Sequence, residues 1–494
     1  MAEVAAATSL LYRGGYLLHE AREAVEPRDA ELAGVLAGWR SERIGGWVAR
    51  FDETWPHARA AAGDGVEVLL LGHAIDLDQP AAGGDEVARA LAEARARSAE
   101  AFFAALDGLA GAHLILVRAS GRHELVQDAT GMEVAAYDTR GAPLVASHDA
   151  LIAELRGYAV SDFARWWLAH PLVKAGGVYY PGISTRYEEI RILTPNTALD
   201  LDERRVRRFW PREPLPAVER DELVERGTAD LRAQWPWLLE RHRMTVSITA
   251  GVDSRLTLAS TYGHAARLHF HTYWGYHVRS LVEDRRIATE LAGRLGLDHA
   301  VFSLIGVPPD PELARVWPRM LAPLPGTTVV DALRRNLPPH DLHVRSNLLE
   351  LVRAYHGRNH VNRRDEFTPL KLAGLMRTAI ANELAPHFAE FCAVAEFTPE
   401  RKLNVHYTDL FHWEHRMGAW HSLGVRAQKV LHRTHVIFNC RRFLALMLGR
   451  PLEERIAADN VWALVRALWP ATLEVPVLSH AAPRDGAATR SGTT

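Results

Sequence analysis

The stretch Thr249-Ala250-Gly251-Val252-Asp253-Ser254 carries the clearest chemistry in the chain. Apolar residues from Met244 to Thr249 read as a short buried strand, and a helix is expected to start near Ser254. Small residues in the corner between them let backbone N–H groups face a ligand. The helix N-terminus adds the positive end of its dipole, and together these suit an anion such as pyrophosphate. The hydroxyls of Thr249 and Ser254 can donate to phosphate oxygens. Asp253 would repel them, so its useful role is to hold a bridging Mg²⁺. A plainer role stands beside this one, in which Asp253 or Ser254 is an ordinary N-cap and Gly251 an ordinary turn residue.

A second candidate is His343-Val344-Arg345-Ser346-Asn347-Leu348-Leu349-Glu350-Leu351-Val352-Arg353-Ala354-Tyr355. Here Glu350 can supply a metal ligand, and Arg345 or Arg353 can clamp a carboxylate or phosphate. Equally, Glu350 and Arg353 can form an i, i+3 pair on a helix surface. His412, Glu414 and His415 sit together but lack the His-Glu-x-x-His spacing and a third ligand, so helix packing with ion pairing is the expected role. His269 and His271 alternate on one strand, a pattern shared by site-lining and core histidines. Arg204-Arg205-Val206-Arg207-Arg208 reads as a solvated strand or turn.

These residues need a frame. Short strand-like runs at Val66–Leu71, His113–Arg118, His123–Gln127, Val134–Tyr137 and Pro143–Ser147, divided by turn residues, predict an antiparallel sheet in the first two hundred residues. Asp85–Leu106 has helical spacing. Pro211-Arg212-Glu213-Pro214-Leu215-Pro216 has the composition of an interdomain linker. Arg220–His242 reads as a long helix that Pro236 should kink or interrupt. Beyond it, Met244–Thr249, Leu268–Tyr273 and Ala300–Leu304 alternate with helical patterns, the last of them Glu283–Leu295, which predicts a parallel α/β sheet. Residues 373–468 read as mostly helical, and Ser479–Thr494 as a disordered tail.

Bulk properties narrow the function. The chain has 494 residues, a formal charge of -2 and 48% hydrophobic residues, so two or three ordinary globular domains are expected. Such a balance gives no field for nucleic acid or acidic membranes. Two cysteines, Cys392 and Cys440, cannot build a disulfide framework or a cysteine-rich zinc site. No signal peptide or spanning segment is evident, and the cytoplasm is the expected compartment.

The corner at 249–254 resembles the pyrophosphate loop of the ATP-pyrophosphatase superfamily, Ser-Gly-Gly-x-Asp-Ser. Thr249 and Ala250 take its first two places, while Gly251, Asp253 and Ser254 are retained. Asp284-Arg285-Arg286-Ile287-Ala288 to Ala292, then Leu295-Gly296-Leu297 and His299, is similar to the Asp-x-x-x-Ala-x-x-x-Ala…Leu-Gly-x-x-His stretch of the asparagine synthetase family. Phe270-His271-Thr272 stands where that family holds adenine, largely through backbone groups. Gly108-x-x-Gly111-Ala112-His113-Leu114-Ile115, Val126 to Gly131 and Ala146-Ser147 look like the glutaminase-type domain of class II amidotransferases. Val178 to Thr185 and Ile192 to Asn196 look like its exit.

The resemblance implies an α+β N-terminal domain over residues 1–210, with a glutaminase-like antiparallel sheet. An α/β parallel-sheet ATP-binding domain over 217–478 would follow, its C-terminal part largely helical, then the tail 479–494. It further implies that Thr249, Ala250, Gly251, Val252, Asp253, Ser254, Phe270, Thr272 and Asp284 bind ATP, and that Asp253 and Glu350 hold Mg²⁺. The implied reaction is adenylation of a substrate carboxylate, then amide formation with an amine, in specialised biosynthesis. The partner is a small-molecule or peptide substrate, with room for a homo-oligomer.

Departures from the family pattern limit this. Ala2 stands where the glutaminase carries its nucleophilic cysteine, so glutamine hydrolysis is not expected. Members without that cysteine, β-lactam synthetase and lasso-peptide cyclases, keep the domain as scaffold. The family's Ser-Gly-x-Gly-x-Asp-Glu loop is absent. No lysine occurs from Asn439 to Arg455, where one normally stabilises the acyl-adenylate transition state. Arg455 is the available cation, and Glu350, Arg345 and Arg455 become the catalytic candidates, although arginine does not simply replace lysine. The alternative is a nucleotide-binding or regulatory homologue with impaired catalysis. Sulfur or nitrogen transfer to tRNA fits less well with the charge and cysteine content.

Overall fold

The computed structural model describes residues 10–477 apart from 176–178, 276–278, 323, 325 and 357–364. Ala2, Val178 and the tail at 479–494 therefore lie outside the described residues.

Twelve antiparallel strands build the N-terminal half: β1 (Tyr16–Glu20), β2 (Arg40–Ile44), β3 (Trp47–Phe51), β4 (His57–Ala62), β5 (Val66–Asp76), β6 (Leu109–Ala119), β7 (Arg122–Gln127), β8 (Ala136–Asp138), β9 (Leu144–Ala146), β10 (Ile190–Ile192), β11 (Thr197–Asp200) and β12 (Arg205–Arg208). They form two six-stranded sheets, ordered β10-β8-β9-β1-β3-β2 and β12-β11-β7-β6-β5-β4. The strand period of two sorts the side chains. Leu69, Leu71, Leu114 and Leu116 pack against Tyr16, Leu18, Trp47 and Phe51 of the other sheet. The alternate residues Val68, Leu70, Ile115 and Val117 pack on Val87, Ala88 and Leu91 of the helix Gly84–Arg97. Gly72 and Gly111, at φ +97° and +106°, face adjacent positions of β5 and β6, and a Cβ on either would lie within 2.4 Å of a facing carbonyl oxygen.

The second half is built on a parallel sheet of β13 (Met244–Ser247), β14 (His269–Trp274), β15 (His299–Ser303), β16 (Leu342–Arg345) and β17 (Arg433–Val436), ordered β15-β14-β13-β16-β17. From β13 the chain winds outward to β14 and β15, then returns to lay β16 on the other side. The order therefore reverses between β13 and β16, and in such sheets a crevice opens at the carboxyl ends of the two strands flanking the reversal. The helices Val252–Ser260 and Arg279–Leu295 make the first two crossovers.

The halves share a polar seam that begins in the 126–131 motif. Asp128 accepts from the N–H groups of Thr130, Met132 and Glu133 and from the amide of Asn439, just beyond β17. Lys429 pairs with Glu133 in the same seam, and Arg441 donates to Asn196 and to the carbonyls of Gln127 and Asp128. The Pro211–Pro216 segment is tied down rather than free, since the Leu215 N–H donates to Asn404 and Arg212 pairs with Asp107.

Several sequence expectations need correction. The helix read over Asp85–Leu106 breaks at Ser98, whose hydroxyl caps a second helix, Ala99–Ala105. Pro236 does not interrupt the helix, which runs from Arg220 to Arg241 with the proline inside it. Pro236 itself is exposed, while its neighbours Trp235, Trp237 and Leu238 are buried and anchor the helix on either side of it. Arg208 of the basic cluster is not solvated: it is 5% exposed and makes a bidentate pair with buried Glu414. The stretch 373–468 also contains β17, too short to stand out among helices. Strands β1 to β4 carried no pattern clear enough to be read.

Candidate functional site

A cavity of about 230 Å³ opens at the reversal point between β13 and β16. Thr249, Gly251, Val252, Asp253 and Ser254 form one wall, and Ser346, Asn347, Leu348, Glu350 and Arg353 a second. Met417 and Trp420 close the third.

The first wall is the strand-to-helix corner. Gly251 caps the helix Val252–Ser260 with φ −78°, and no side chain caps that helix. The corner therefore needs no left-handed residue, which is why Ala250 fits where the family pattern has glycine. Its own hydrogen bonds hold it in shape. The Thr249 N–H donates to Ser254 Oγ at 2.7 Å, the Gly251 N–H to Thr249 Oγ1 at 3.1 Å, and the Ala250 N–H to Asp284 Oδ1 at 2.8 Å. Asp284 thus acts as a brace from the Arg279–Leu295 helix, and burial raises its pKa. Neither Asp253 nor Ser254 is the N-cap that the plainer reading proposed.

The second wall follows β16. Leu348 is held at φ +86°, an uncommon conformation for a residue with a branched side chain. This turn brings the Leu349 N–H to Asp253 Oδ2 at 3.0 Å. Arg353 Nη2 donates to Asp253 Oδ1 at 2.9 Å, and Arg353 Nε to the Leu349 carbonyl at 3.3 Å. Glu350 does not pair with Arg353, so the surface i, i+3 pair is not formed. Its carboxylate lies 3.8 Å from His412 Nε2 and 3.9 Å from Arg416 Nε. Burial pushes the Asp253 carboxyl up to about 6, with Arg353 opposing the shift and Glu350 adding to it.

The third wall comes from His412–His421, which is wound as a π-helix. Such wide turns frequently mark functional sites, and nothing in the sequence pattern announced this one. Arg416 lies over the rings of Trp420 and Tyr355, at 4.4 and 5.3 Å. His412 is 1% exposed, and among the described residues neither of its ring nitrogens has a hydrogen-bond partner.

Other expected site residues fall elsewhere. Phe270 is fully buried in β14, and the Thr272 hydroxyl donates to the Ile248 carbonyl and meets His299 Nε2 at 2.9 Å. Both brace the sheet behind the corner. Arg345 ends β16 beside Gly424, where burial lowers its pKa, and it does not line the cavity. Arg455 is buried against Asp409, both Nη groups reaching Oδ2 at 2.9 Å, and it too lies outside the cavity lining. His271 bonds to Thr245, His269 to Asp298, and His415 to the Gly182 N–H. Burial pushes both cysteine thiols up to about 12, which leaves neither as a thiolate at neutral pH.

The residues present do not fit the expected Mg²⁺. That ion is held through one or two carboxylates that face it, together with waters and phosphate oxygens. Both oxygens of Asp253 are engaged, one of them by a guanidinium, and Glu350 faces His412 and Arg416. Among the described residues no cluster of three or more metal-ligating side chains occurs. Nor, among them, is any helix long and apolar enough to cross a membrane.

No family model matches the sequence, and no curated protein matches it. Among solved structures the chain is similar to the allosteric regulatory enzyme of purine biosynthesis, at 12% identity and a TM-score of 0.24, over 70% of this chain and 71% of that one. It is also similar to glutamine phosphoribosylpyrophosphate amidotransferase from B. subtilis complexed with ADP and GMP. There the identity is 11% and the TM-score 0.24, over 71% of this chain and 72% of that one. A likeness at that level assigns no role to any residue here.

Proposed function

We propose that the cavity between β13 and β16 receives the phosphates of ATP and that the chain is an ATP-dependent, amide-forming ligase. The observation that carries this reading is the uncapped N-terminus of Val252–Ser260, opening at the reversal point of a parallel sheet into a cavity that also holds Arg353. The positive dipole end at such a place favours a polyphosphate. A substrate carboxylate oxygen would attack the α-phosphorus and expel pyrophosphate. An amine would then attack the acyl-adenylate carbonyl and expel AMP, forming the amide in specialised biosynthesis. The protein's part is positioning and charge neutralisation. The N-terminal sandwich acts as scaffold, since neither cysteine offers a thiolate.

Gly251→Ala tests the site. A Cβ at Gly251 meets nothing closer than Thr249 Oγ1 at 3.4 Å, and φ −78° suits alanine, so the variant should fold unchanged. Its methyl would stand over the helix N-terminus and weaken ATP binding by about tenfold or more, the worth of one charge-assisted hydrogen bond. Equal affinity in the two proteins, read by calorimetric titration, would sink the assignment.

One observation favours a second reading, a nucleotide-binding protein with impaired catalysis. Arg455, the cation expected for the final step, is committed to Asp409 away from the cavity. ATP binding without pyrophosphate release across a broad panel of acids and amines would support it.

A further inference from the structure

We propose that Arg353 is the resident cation of this site and that polyphosphate binds there without a divalent metal. The inference rests on the nucleotide reading above and sharpens it. Asp253 already has a cation beside it, since its oxygens hold the Leu349 N–H and Arg353 Nη2. Arg353 is no passing surface side chain: it is 7% exposed, anchored by Nε on the Leu349 carbonyl, and lines the cavity. A guanidinium has five N–H groups in a rigid fork that matches phosphate oxygens. One goes to Leu349 and one to Asp253, and among the described residues no hydrogen bond takes the Nη1 pair. Those hydrogens are left for a ligand oxygen beside the open end of the Val252–Ser260 helix.

The geometry gives Asp253 a different task from metal binding. Its carboxylate orients the arginine from one side, as the turn at Leu348 fixes the backbone from the other. A divalent ion entering the same space would meet a fixed positive charge where it needs an oxygen. Glu350 offers no alternative on its own, because His412 and Arg416 lie within 4 Å of it. Site charge is therefore supplied by the chain, and the ligand it suits is a polyphosphate in its metal-free form.

Calorimetric titration of the full chain with ATP and with inorganic pyrophosphate, in EDTA and then in excess Mg²⁺, tests this. Wild-type affinity should be as high in EDTA as in Mg²⁺. Arg353→Met should lose about tenfold to a hundredfold in EDTA, the loss of a charged hydrogen-bonding partner. Mg²⁺ should recover part of it, because Asp253 is then free to bind the ion. Arg353→Lys keeps the charge without the fork and should retain more affinity in EDTA than Arg353→Met, and the wild-type comparison decides the question by itself if neither variant folds. Binding by the wild-type chain that vanishes in EDTA and returns with Mg²⁺ overturns the inference and leaves the nucleotide site standing. So does a folded Arg353→Met protein that binds as tightly as wild type in EDTA. No binding of either probe in any condition overturns the nucleotide reading and this inference together.

Discussion

Replacing Asp253 by Asn should stabilise the free protein at neutral pH, although it removes an ion pair. Asp253 titrates at about 6 in the folded chain, against 3.8 for an unperturbed carboxyl. Burial dominates that shift, and the attraction of Arg353 does not overcome it. Between those two pH values the native state holds a proton that the unfolded chain has released. Stability therefore falls as pH rises from about 4 to about 6, and stays flat above. A difference of about 2 pH units at about 1.4 kcal/mol each makes a cost on the order of 3 kcal/mol, fully present at pH 7. The side chain is only 13% exposed, so solvent does little to reduce it. Asparagine mimics the protonated form and escapes the cost. Hydrogen exchange reads this locally, through the amides of Leu349–Val352 and Val252–Ser260, in both proteins from about pH 4 to about pH 8 with intrinsic rates divided out. Protection should match near pH 4 and diverge in favour of Asp253→Asn up to about pH 6. Parallel curves across the window, or a better-protected wild type at pH 7, would refute the claim that charge burial outweighs the Arg353 pair. A costly charge of this kind is typical of a site kept for binding rather than for stability.

Two other outcomes follow from the same contacts. Arg208→Met should cost about 3–5 kcal/mol by leaving Glu414 buried without its guanidinium, and the double variant with Glu414→Gln should recover part of that loss in denaturant unfolding. A single substitution within about 0.5 kcal/mol of wild type would show that the pair does not hold the two halves together. Arg455→Met should destabilise the chain to a similar degree through unpaired Asp409 while leaving ATP affinity within about twofold. A tenfold loss of ATP affinity in a folded Arg455→Met protein would return Arg455 to the site.

The local grammar of the chain was readable because it depends on neighbours. Alternating apolar residues placed most of the central strands of one antiparallel sheet, β5, β6 and β7. The run from Met244 to Ser254 placed the corner, whereas Asp284 stood out only through the family resemblance, as an ATP-binding residue, and its contact with Ala250 did not. What stayed hidden depends on residues far apart in sequence. Asp253 and Arg353 are separated by 100 positions, and no pattern in either segment says that the turn at Leu348 swings one onto the other. Arg208 looked like one more solvated basic residue until Glu414, 206 positions away, closed on it. Arg455 looked available until Asp409 took it. The sequence by itself determined where the strand-to-helix corner would form, since strand, turn and helix are set by nearby residues. Only the tertiary structure decided which charges share that corner, because a buried charge is defined by whatever packs against it.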